Sequence, residues 1–551
     1  MADSGQGGVN RRILIGAGAA AALAGTAFAL RAGSSNAPQS APADPFTLHR
    51  GNGAEPDTLD PHKASGNWEN NVIGDMFMGL MTEDVGANAI PGAALRYTVS
   101  TDGLVYTFTL REHKWSDGVP VTAHDFEFSF RRILDPKTAG QYASILYPIK
   151  NAEAVNSGKL SVDRIGVHAL DDRTLRMEFH FQVPYIDQLL THYTTFAVPK
   201  HILEKYGDDW ELPQNVATNG PYVLKEWIPN DHVQLVKNPH FYDRENVPIE
   251  KVYYYPTQDS AAALKRFRAG EFDLVFDSIP PQSVPWLRQH MPRELKLFPY
   301  VETSYFQFNM KRKPFDDLRL RRALSLAVDR EIMTQKITRA NETPAYSFVP
   351  PGIPGYPGTA HLNFKSLAMS ARIAKAKWLL GEAGYGPQNP LTFDFNIMNT
   401  TETKIVGVAL QAMWKEIGVE ARLIPSESQI HYDVLRKHDF WVAWAGWIAD
   451  YRDPKDFLFL FQTSTTDLNY GLYSNPKYDA VVEASDYERD AAKRAKMLGN
   501  AEQILLDDEA VVPVYFAVTR DLVSQQVRGW VSNNVNINRT RYLSLDRSEP
   551  V

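Results

Sequence analysis

Alternating apolar and polar residues mark strands at intervals along the chain. Residues 174–181 alternate strictly, so that one face of the segment is apolar and the other polar, which is typical of a half-buried strand. Shorter apolar runs, several of them bounded by Gly or Pro, predict further strands over residues 105–110, 252–255, 272–276 and 391–397. Strands are therefore spread through the sequence rather than confined to one part of it.

Helical spacing of apolar residues lies between these strands. Thr122 and Asp125 form a capping-box pattern before an apolar stripe, and Pro136 follows the predicted end of that helix. Apolar residues three and four positions apart predict two more helices, over residues 320–328 and 403–417. Because helices and strands are mixed along the chain, the sequence predicts an α/β or α+β fold.

The composition is that of an ordinary globular protein long enough for two or three domains. Of its 551 residues, 44% are hydrophobic and 22% are charged, and the formal net charge is −7. This charge argues against nucleic acid as the main partner, because such binding calls for a concentrated basic face. The chain has no cysteine, which excludes disulfides, thiolate metal sites, cysteine nucleophiles and lipid attachment through cysteine.

The N-terminus has the layout of an export signal. Arg11 and Arg12 precede an uncharged, Ala-rich run over residues 13–30, and small residues follow it. The paired arginines resemble a twin-arginine signal, which exports folded proteins. We therefore expect residues 1–43 to be a signal peptide and linker and the mature protein to be periplasmic. The alternative is an uncleaved membrane anchor.

No segment has the form of a common catalytic or phosphate-binding motif. The sequence lacks G-x-x-x-x-G-K-[ST], G-x-S-x-G, G-x-G-x-x-G and H-E-x-x-H. His431 and His438 could share a helix face, but two separate surface histidines are the favoured interpretation. The sequence therefore predicts a protein that is not an enzyme, with no catalytic residues, no metal site and no cofactor.

Eight short segments, in the same order along the chain, resemble one protein family. They are Glu55-Pro-Asp-Thr-Leu-Asp-Pro61, Trp115-Ser-Asp-Gly-Val-Pro-Val-Thr-Ala-His-Asp-Phe126 and residues 218–222, 238–242, 315–324, 383–385, 446–454 and 469–476. In these segments the chain resembles the extracytoplasmic solute-binding proteins of family 5, which bind oligopeptides and dipeptides for ABC transporters. Most of the segments also read as turns and helix caps, so the resemblance bears first on the fold.

The resemblance implies an α/β, two-lobed periplasmic-binding-protein fold (type II, class C) with an extra domain inserted in the first lobe. Lobe I would comprise residues 44–65, 195–302 and 515–551, the inserted domain residues 66–194, and lobe II residues 303–514. Ligand would bind between the lobes and favour a closed form. The implied partners are a peptide or other small solute and the permease and ATPase complex of the inner membrane. The binding protein itself would be a monomer that binds no nucleic acid.

In this family an extended peptide pairs its backbone with segments of both lobes. Carried over by motif, one edge would be formed by Glu55, Pro56, Asp57, Thr58 and Leu59, and the other by Trp444, Ala445, Gly446 and Trp447. Asp450 matches the family carboxylate that pairs with the α-ammonium group of the ligand. The alternative for Asp450 is a loop carboxylate that orders its own turn. Residues for the ligand's C-terminus stay unassigned.

Three alternative functions remain open at this point. The same scaffold could bind a non-peptide solute such as a nickel chelate, haem, a sugar conjugate or an opine. A periplasmic hydrolase would need a nucleophile and a base, which no motif supplies. A chaperone-like or signalling receptor could use the scaffold as well. The sequence favours oligopeptide binding, because Asp450 suits an ammonium group.

Overall fold

A computed structural model describes residues 44–466 and 468–548. The predicted signal peptide, residues 1–43, lies outside the described residues. Helices and strands alternate along the described chain, which confirms the predicted α/β class. Within these residues no helix is both long enough and apolar enough to cross a bilayer.

The strands follow in chain order. They are β1 (Thr47–Gly51), β2 (Met81–Glu83), β3 (Ala89–Pro91), β4 (Ala94–Val99), β5 (Val105–Leu110), β6 (Val167–Asp171), β7 (Thr174–Glu178), β8 (Tyr222–Ile228), β9 (His232–Lys237), β10 (Lys251–Tyr255), β11 (Leu274–Val275), β12 (Leu295–Phe308), β13 (Thr343–Pro344), β14 (Leu391–Met398), β15 (Val419–Ser426), β16 (Val442–Ile448), β17 (Val511–Val523), β18 (Val527–Arg528) and β19 (Ser544–Leu545).

The α-helices follow in the same way. They are α1 (Asn67–Met76), α2 (Ala123–Leu134), α3 (Ala152–Asn156), α4 (Ile186–Leu189), α5 (Lys200–Tyr206), α6 (Ser260–Arg268), α7 (Val284–His290), α8 (Leu318–Leu326), α9 (Arg330–Ile332), α10 (Met369–Glu382), α11 (Thr401–Glu416), α12 (Ser428–Arg436), α13 (Lys455–Leu458), α14 (Pro476–Tyr487) and α15 (Ala491–Asp507).

One large mixed sheet runs through the molecule. Its strand order is β15-β14-β16-β12-β17-β11-β1-β10-β9-β8, with β13 attached to β17. The long strands β12 and β17 pair antiparallel at its centre, and their register shifts between Pro299 and Thr303. Because residues 300–302 stand opposite the single residue Ala517, the ladder is interrupted midway along both strands. These two strands therefore connect the halves of the sheet.

Two large hydrophobic cores lie on the two sides of the β12–β17 pairing. The first core draws its buried apolar residues mainly from Leu48 to Tyr254 and includes the separate antiparallel sheet β4-β5-β7-β6. The second core runs from Val301 to Tyr515 and centres on β12, β14, β16 and α11. A smaller cluster lies around Phe267 and Leu522. The molecule is thus two-lobed, as the sequence motifs imply.

Local patterns predicted the elements closely, but two strands are shorter than expected: β7 ends at Glu178 rather than at residue 181, and β11 covers two of its five predicted residues. Strand β5 covers the predicted residues, and α2 begins after Thr122, whose backbone N–H donates to Asp125 Oδ2 at 2.8 Å. Residues 272–276 form a strand only over Leu274–Val275, because the neighbouring strands β1 and β17 end there at Gly51 and Val523. The length of that strand is set by its partners rather than by its own sequence.

A buried carboxylate fastens helix α15 to the loop after β13. Glu502 is fully buried, and its Oε1 accepts the backbone N–H groups of Phe348 at 2.7 Å and Val349 at 2.8 Å. The hydroxyl of Tyr356 donates to Oε2. Burial raises the pKa of Glu502 to about 7, although these hydrogen bonds act in the opposite direction. The folded protein therefore holds a proton on Glu502 that the unfolded chain has already lost at mildly acidic pH.

We expect Glu502→Gln to reduce the pH dependence of stability. Between about pH 4.5 and pH 7 the folded state binds one more proton at Glu502 than the unfolded state. The free energy of unfolding therefore falls as pH rises through this window, by up to roughly 3 kcal/mol at about 1.4 kcal/mol per pKa unit. Glutamine keeps an acceptor oxygen but does not titrate. Urea unfolding measures the free energy of unfolding between pH 5 and pH 8. Its fall over this range should be smaller by about 1–3 kcal/mol in Glu502→Gln than in wild type.

The exposed Glu483→Gln is the matched control, because it removes a carboxylate from α14 in the same lobe without touching the buried contact. It should leave the pH dependence of unfolding at the wild-type value. An identical pH dependence in wild type and Glu502→Gln would show that Glu502 keeps its charge in the folded protein.

Candidate ligand-binding site

Strand β16 has one edge that is only partly paired. Its other edge pairs with β12 along the whole strand, from Val442 opposite Phe308 to Ile448 opposite Glu302. The neighbour β14 meets β16 only at Val442 and Ala443. Among the described residues no strand pairs with this side of β16 beyond Ala443. An unpaired strand edge offers backbone donors and acceptors to an extended ligand.

Two side chains lie against the backbone of β16. The carbonyl oxygen of Trp444 is 2.9 Å from Nε2 of His431 on α12, so the imidazole holds the carbonyl where β14 departs. Gly446 has no side chain, and a Cβ placed there would lie 3.1 Å from Oε1 of Glu302. The carboxylate of Glu302 therefore extends across β16 at the glycine.

A buried acid fixes the loop that follows β16. Asp456 is fully buried, and its Oδ2 accepts the backbone N–H of Asp450 at 3.0 Å and Nε1–H of Trp447 at 3.1 Å. Burial raises the pKa of Asp456 well above its usual range, and the charge of Asp450 adds to this shift. Asp456 thus ties the end of β16 to the turn that carries Asp450.

The carboxylate of Asp450 is poorly satisfied for a buried charge. Its side chain is 13% exposed, and Oδ1 lies 3.4 Å from Nε2 of His192. Oδ2 is buried and makes no hydrogen bond within the described residues. Burial raises the pKa of Tyr142 and that of Tyr193 far above the usual range for tyrosine. The negative charge of Asp450 is the second-largest cause of each rise. A cationic group would satisfy the oxygen that the protein leaves without a partner.

Residues next to Asp450 bring the two cores into contact. Tyr451 packs in the first core, where its ring stacks on that of Tyr185 with centroids 4.2 Å apart. The backbone N–H of Arg452 donates to Oε1 of Gln188 at 2.9 Å, and its guanidinium group contacts Asn88 Oδ1 at 3.1 Å. The loop that carries Asp450 is therefore also a contact between the lobes.

The predicted edge at residues 55–59 is an extended segment without strand pairing, and its polar groups hold it in place. Oε1 of Glu55 accepts Nε1–H of Trp227 at 2.8 Å. Oε2 of Glu211 accepts the hydroxyl of Thr58 at 2.7 Å and the backbone N–H of Leu59 at 2.8 Å.

The middle of this segment faces the second lobe. Pro56 and Leu59 are buried, whereas Asp57 is exposed and its Oδ2 accepts Nε2–H of Gln429, on α12, at 2.5 Å. The segment thus lies where the lobes meet. The part that residues 55–59 play toward a ligand stays a prediction.

The indole side chains of β16 pack inward. Trp444 and Trp447 are 3% and 7% exposed and belong to the second core, whereas Trp441 is half-buried and donates Nε1–H to the carbonyl oxygen of Lys313 at 3.1 Å. The expectation of two surface histidines was wrong for His431, which is fully buried beneath Trp444. The side chains of β16 therefore anchor the strand, and its backbone is the part available to a ligand.

Carboxylates outnumber cations near the interruption in the pairing of β12 with β17. Arg520 contacts Glu402 at 2.5 Å and lies 3.9 Å from Asp277. Burial raises the pKa of Asp277 well above its usual range, with Arg520 opposing the shift. Burial, followed by the charge of Glu402, raises the pKa of Glu302 to about 7. This region is acidic and lies beside Gly446 and the Ile448 end of β16.

Sequence reasoning missed three residues of this site: His192, Asp456 and Glu302. Asp456 lies close to the recognised segment 446–454, so its position two residues beyond the segment was an available signal. His192 and Glu302 carry no local pattern. They reach Asp450 and Gly446 only because the chain folds back.

The chain belongs to the bacterial extracellular solute-binding proteins, family 5, whose model matches residues 88–469. It is 38% identical over 497 residues to the periplasmic oligopeptide-binding protein OppA of Salmonella typhimurium, covering 89% of this chain and 91% of that protein. The fold is similar to Haemophilus influenzae OppA in complex with the peptide RPPGFSPFR, with a TM-score of 0.86, 33% identity, and coverage of 91% of this chain and 99% of that one.

A third relative indicates how the lobes are arranged. The murein tripeptide binding protein MppA of Escherichia coli is 33% identical and covers 91% of this chain and 98% of its own, with a TM-score of 0.86. The unliganded open form of MppA, at the same identity and coverage, gives a TM-score of only 0.70. The lobes of the chain are therefore not arranged as in that open form, in keeping with the contacts around Arg452 and Asp57.

We expect Asp456→Ala to destabilise the protein and Asp456→Asn to be tolerated. Alanine leaves the buried N–H groups of Trp447 and Asp450 without an acceptor, at a cost of about 2–4 kcal/mol. Asparagine keeps one acceptor oxygen and should cost less than about 1 kcal/mol. Urea unfolding at pH 7.5 measures both values. Equal losses for the two variants would mean that the hydrogen bonds of Asp456 do not hold this loop.

Proposed function

We propose that the chain is the periplasmic substrate-binding component of an ABC importer and that it binds oligopeptides between its two lobes. The observation that carries this proposal is the buried, unpartnered Oδ2 of Asp450 at the end of an unpaired strand edge. The charge suits an α-ammonium group, and the strand edge suits an extended backbone. The relatives named as oligopeptide-binding and murein peptide-binding proteins support the same ligand class.

Affinity would come mainly from the ligand backbone. Trp444, Ala445, Gly446 and Trp447 would form one side of a short ladder, and Glu55, Pro56, Asp57, Thr58 and Leu59 would line the other side. Main-chain hydrogen bonds do not distinguish side chains, and water in the surrounding space can rearrange around different ones. The protein would therefore accept peptides of varied sequence and hold each of them by the charged N-terminus of the peptide.

The lobe boundaries of this proposal are those that the family resemblance implies. Lobe I would comprise residues 44–65, 195–302 and 515–551, with residues 66–194 as the inserted domain, and lobe II would comprise residues 303–514. A ligand that contacts both lobes stabilises the closed arrangement by its differential affinity for that state. The closed protein would then deliver the peptide, unchanged, to a membrane permease with its ATPase. It would act as a monomer and without catalysis.

Calorimetry on four pairs tests this role: free and N-acetylated trialanine, each titrated into wild type and into Asp450→Ala. Removing one partner of a buried ion pair costs about 2–5 kcal/mol, so Asp450→Ala should weaken free trialanine by roughly 30-fold to several thousand-fold. Acetylation should weaken binding to the wild type comparably. It should add little further loss in the variant, because both changes delete the same pair.

Glu420→Ala, an exposed carboxylate on β15, is the control and should bind free trialanine like the wild type. Equal affinity of the wild type for free and acetylated peptide would contradict the role of Asp450 and favour a non-peptide solute. Trialanine recovered after incubation should be intact. Recovery of alanine in its place would favour a hydrolase.

We also propose export by the twin-arginine route, from Arg11-Arg12 and the Ala-rich run that follows. Protein from the periplasmic fraction should have an intact mass that lacks about the first 37 to 43 residues. Replacing Arg11 and Arg12 together by lysine should stop its appearance there. Continued export of the twin-lysine variant would assign the protein to the general secretory route, and full-length protein confined to the cytosol would contradict export.

A further inference from the structure

The inserted domain contributes a histidine to the site of Asp450. His192 is 8% exposed, and its Nε2 lies 3.4 Å from Oδ1 of Asp450. On the other side of the ring, Nδ1 lies 2.9 Å from the hydroxyl oxygen of Thr194. Both ring nitrogens are therefore engaged, and Asp450 is held from the lobe opposite its own.

An ionised carboxylate only accepts hydrogen bonds, so the neutral tautomer that suits Asp450 carries its proton on Nε2. In that tautomer Nδ1 accepts, and the hydroxyl of Thr194 donates to it. Oδ2 of Asp450 has no hydrogen-bond partner within the described residues.

The charges around His192 are few and mostly negative. Asp450 faces Nε2, and Asp456 lies behind Asp450 at the backbone. The rings of Tyr142 and Tyr193 lie beside the imidazole, with centroids 5.9 Å and 4.2 Å from its own. Within residues 44–466 and 468–548, His192 is the one basic side chain with a nitrogen within 4.0 Å of an Asp450 carboxylate oxygen.

We propose that His192 is a positioning residue that presents Oδ2 of Asp450 to the cationic group of the ligand and, when protonated, competes with that group for Asp450. The inference rests on the proposed function of Asp450. A neutral His192 orients the carboxylate of Asp450 without adding charge. A protonated His192 adds a second cation beside the ammonium group of the ligand, and both must then pair with the one carboxylate of Asp450. Binding of an ammonium group is therefore coupled to release of a proton from His192.

Calorimetry with trialanine tests this coupling. For the wild type we expect about 10-fold weaker binding at pH 5.5 than at pH 7.5, because a protonated imidazole 3.4 Å from Asp450 competes with the ammonium group of the peptide. Titrations at pH 6 in two buffers of different ionisation enthalpy should show proton release on binding. His192→Gln places an N–H donor where Nε2 stands and does not titrate. It should retain wild-type affinity at pH 7.5 to within about threefold and lose less than about threefold on acidification.

Two further variants separate positioning from packing. His192→Phe fills the space without a donor and should weaken trialanine about 10-fold at pH 7.5, with no proton release. His124→Gln removes a similar pair, in which Nε2 lies 3.6 Å from Oδ1 of Asp172 on the surface, and should behave as the wild type. The same loss of affinity on acidification in wild type and His192→Gln would overturn the inference, as would unchanged proton release in His192→Gln.

The outcomes for His192 and for Asp450 are distinguishable. If wild type binds trialanine and discriminates against the acetylated peptide, the proposed function stands whatever the pH dependence shows. If wild type binds neither peptide at any pH, the proposed function fails and the inference fails with it. If it binds free peptide with a pH dependence that His192→Gln leaves unchanged, only the role of His192 is refuted.

Discussion

The antiparallel pairing of β12 with β17 is the constraint on which the rest of the structure depends. From β12 the sheet extends through β16 and β14 into the second lobe, and from β17 it extends through β11 and β1 into the first. The ladder between the two strands is interrupted at residues 300–302. An interrupted ladder resists bending less than a continuous one, so the lobes meet where the sheet is easiest to deform. Strand β16 ends beside this point, and the loop that follows it contacts the first lobe through Arg452 and Gln188.

The closed arrangement leaves negative charge without full compensation. Oδ2 of Asp450 is buried without a hydrogen-bond partner within the described chain, and Glu302, whose pKa is raised by burial, lies opposite Ile448 near the same end of β16. A buried, unpaired charge is costly, so Asp450 opposes closure of the empty protein. Under the proposed function, a cationic ligand would remove part of that cost only when the lobes are closed around it. The carboxylate that destabilises the empty closed form would then give the ligand its differential affinity for that form.

Local sequence patterns predicted the elements well because their causes are local. The capping pair Thr122 and Asp125 and the apolar alternation of β7 act within a few residues. Helix α2 lies where it was expected, and β7 begins as expected but ends three residues early, at Glu178. Strand β11 was shorter than predicted because its extent depends on β1 and β17, which are distant in sequence. The unpaired edge of β16 could not be predicted from spacing either, since it arises from the departure of β14.

The residues of the candidate site also fall into those that the sequence reveals and those that only the fold brings together. Asp450 was recognised because it lies in a segment that resembles the family, not because its own surroundings in the sequence require a buried charge. His431 was wrongly expected at the surface, since its apolar environment comes from β16 rather than from the pattern of α12. His192 lies more than 250 residues before Asp450, and the 3.4 Å contact between them exists only in the folded chain.

Under the proposed function, the segment predicted as the inserted domain takes part in ligand binding. Asp450 lies in the loop after β16 and Asp456 on α13, whereas His192, Tyr142 and Tyr193 come from the segment predicted as the inserted domain. Neither set alone forms an enclosed site, because Asp450 without the aromatic rings would face water and its charge would be screened. The stacking of Tyr451 on Tyr185 and the hydrogen bonds of Arg452 join the two sets. Closure therefore both excludes water from Asp450 and strengthens its attraction for a cation, since the same charge acts more strongly in a less polar environment.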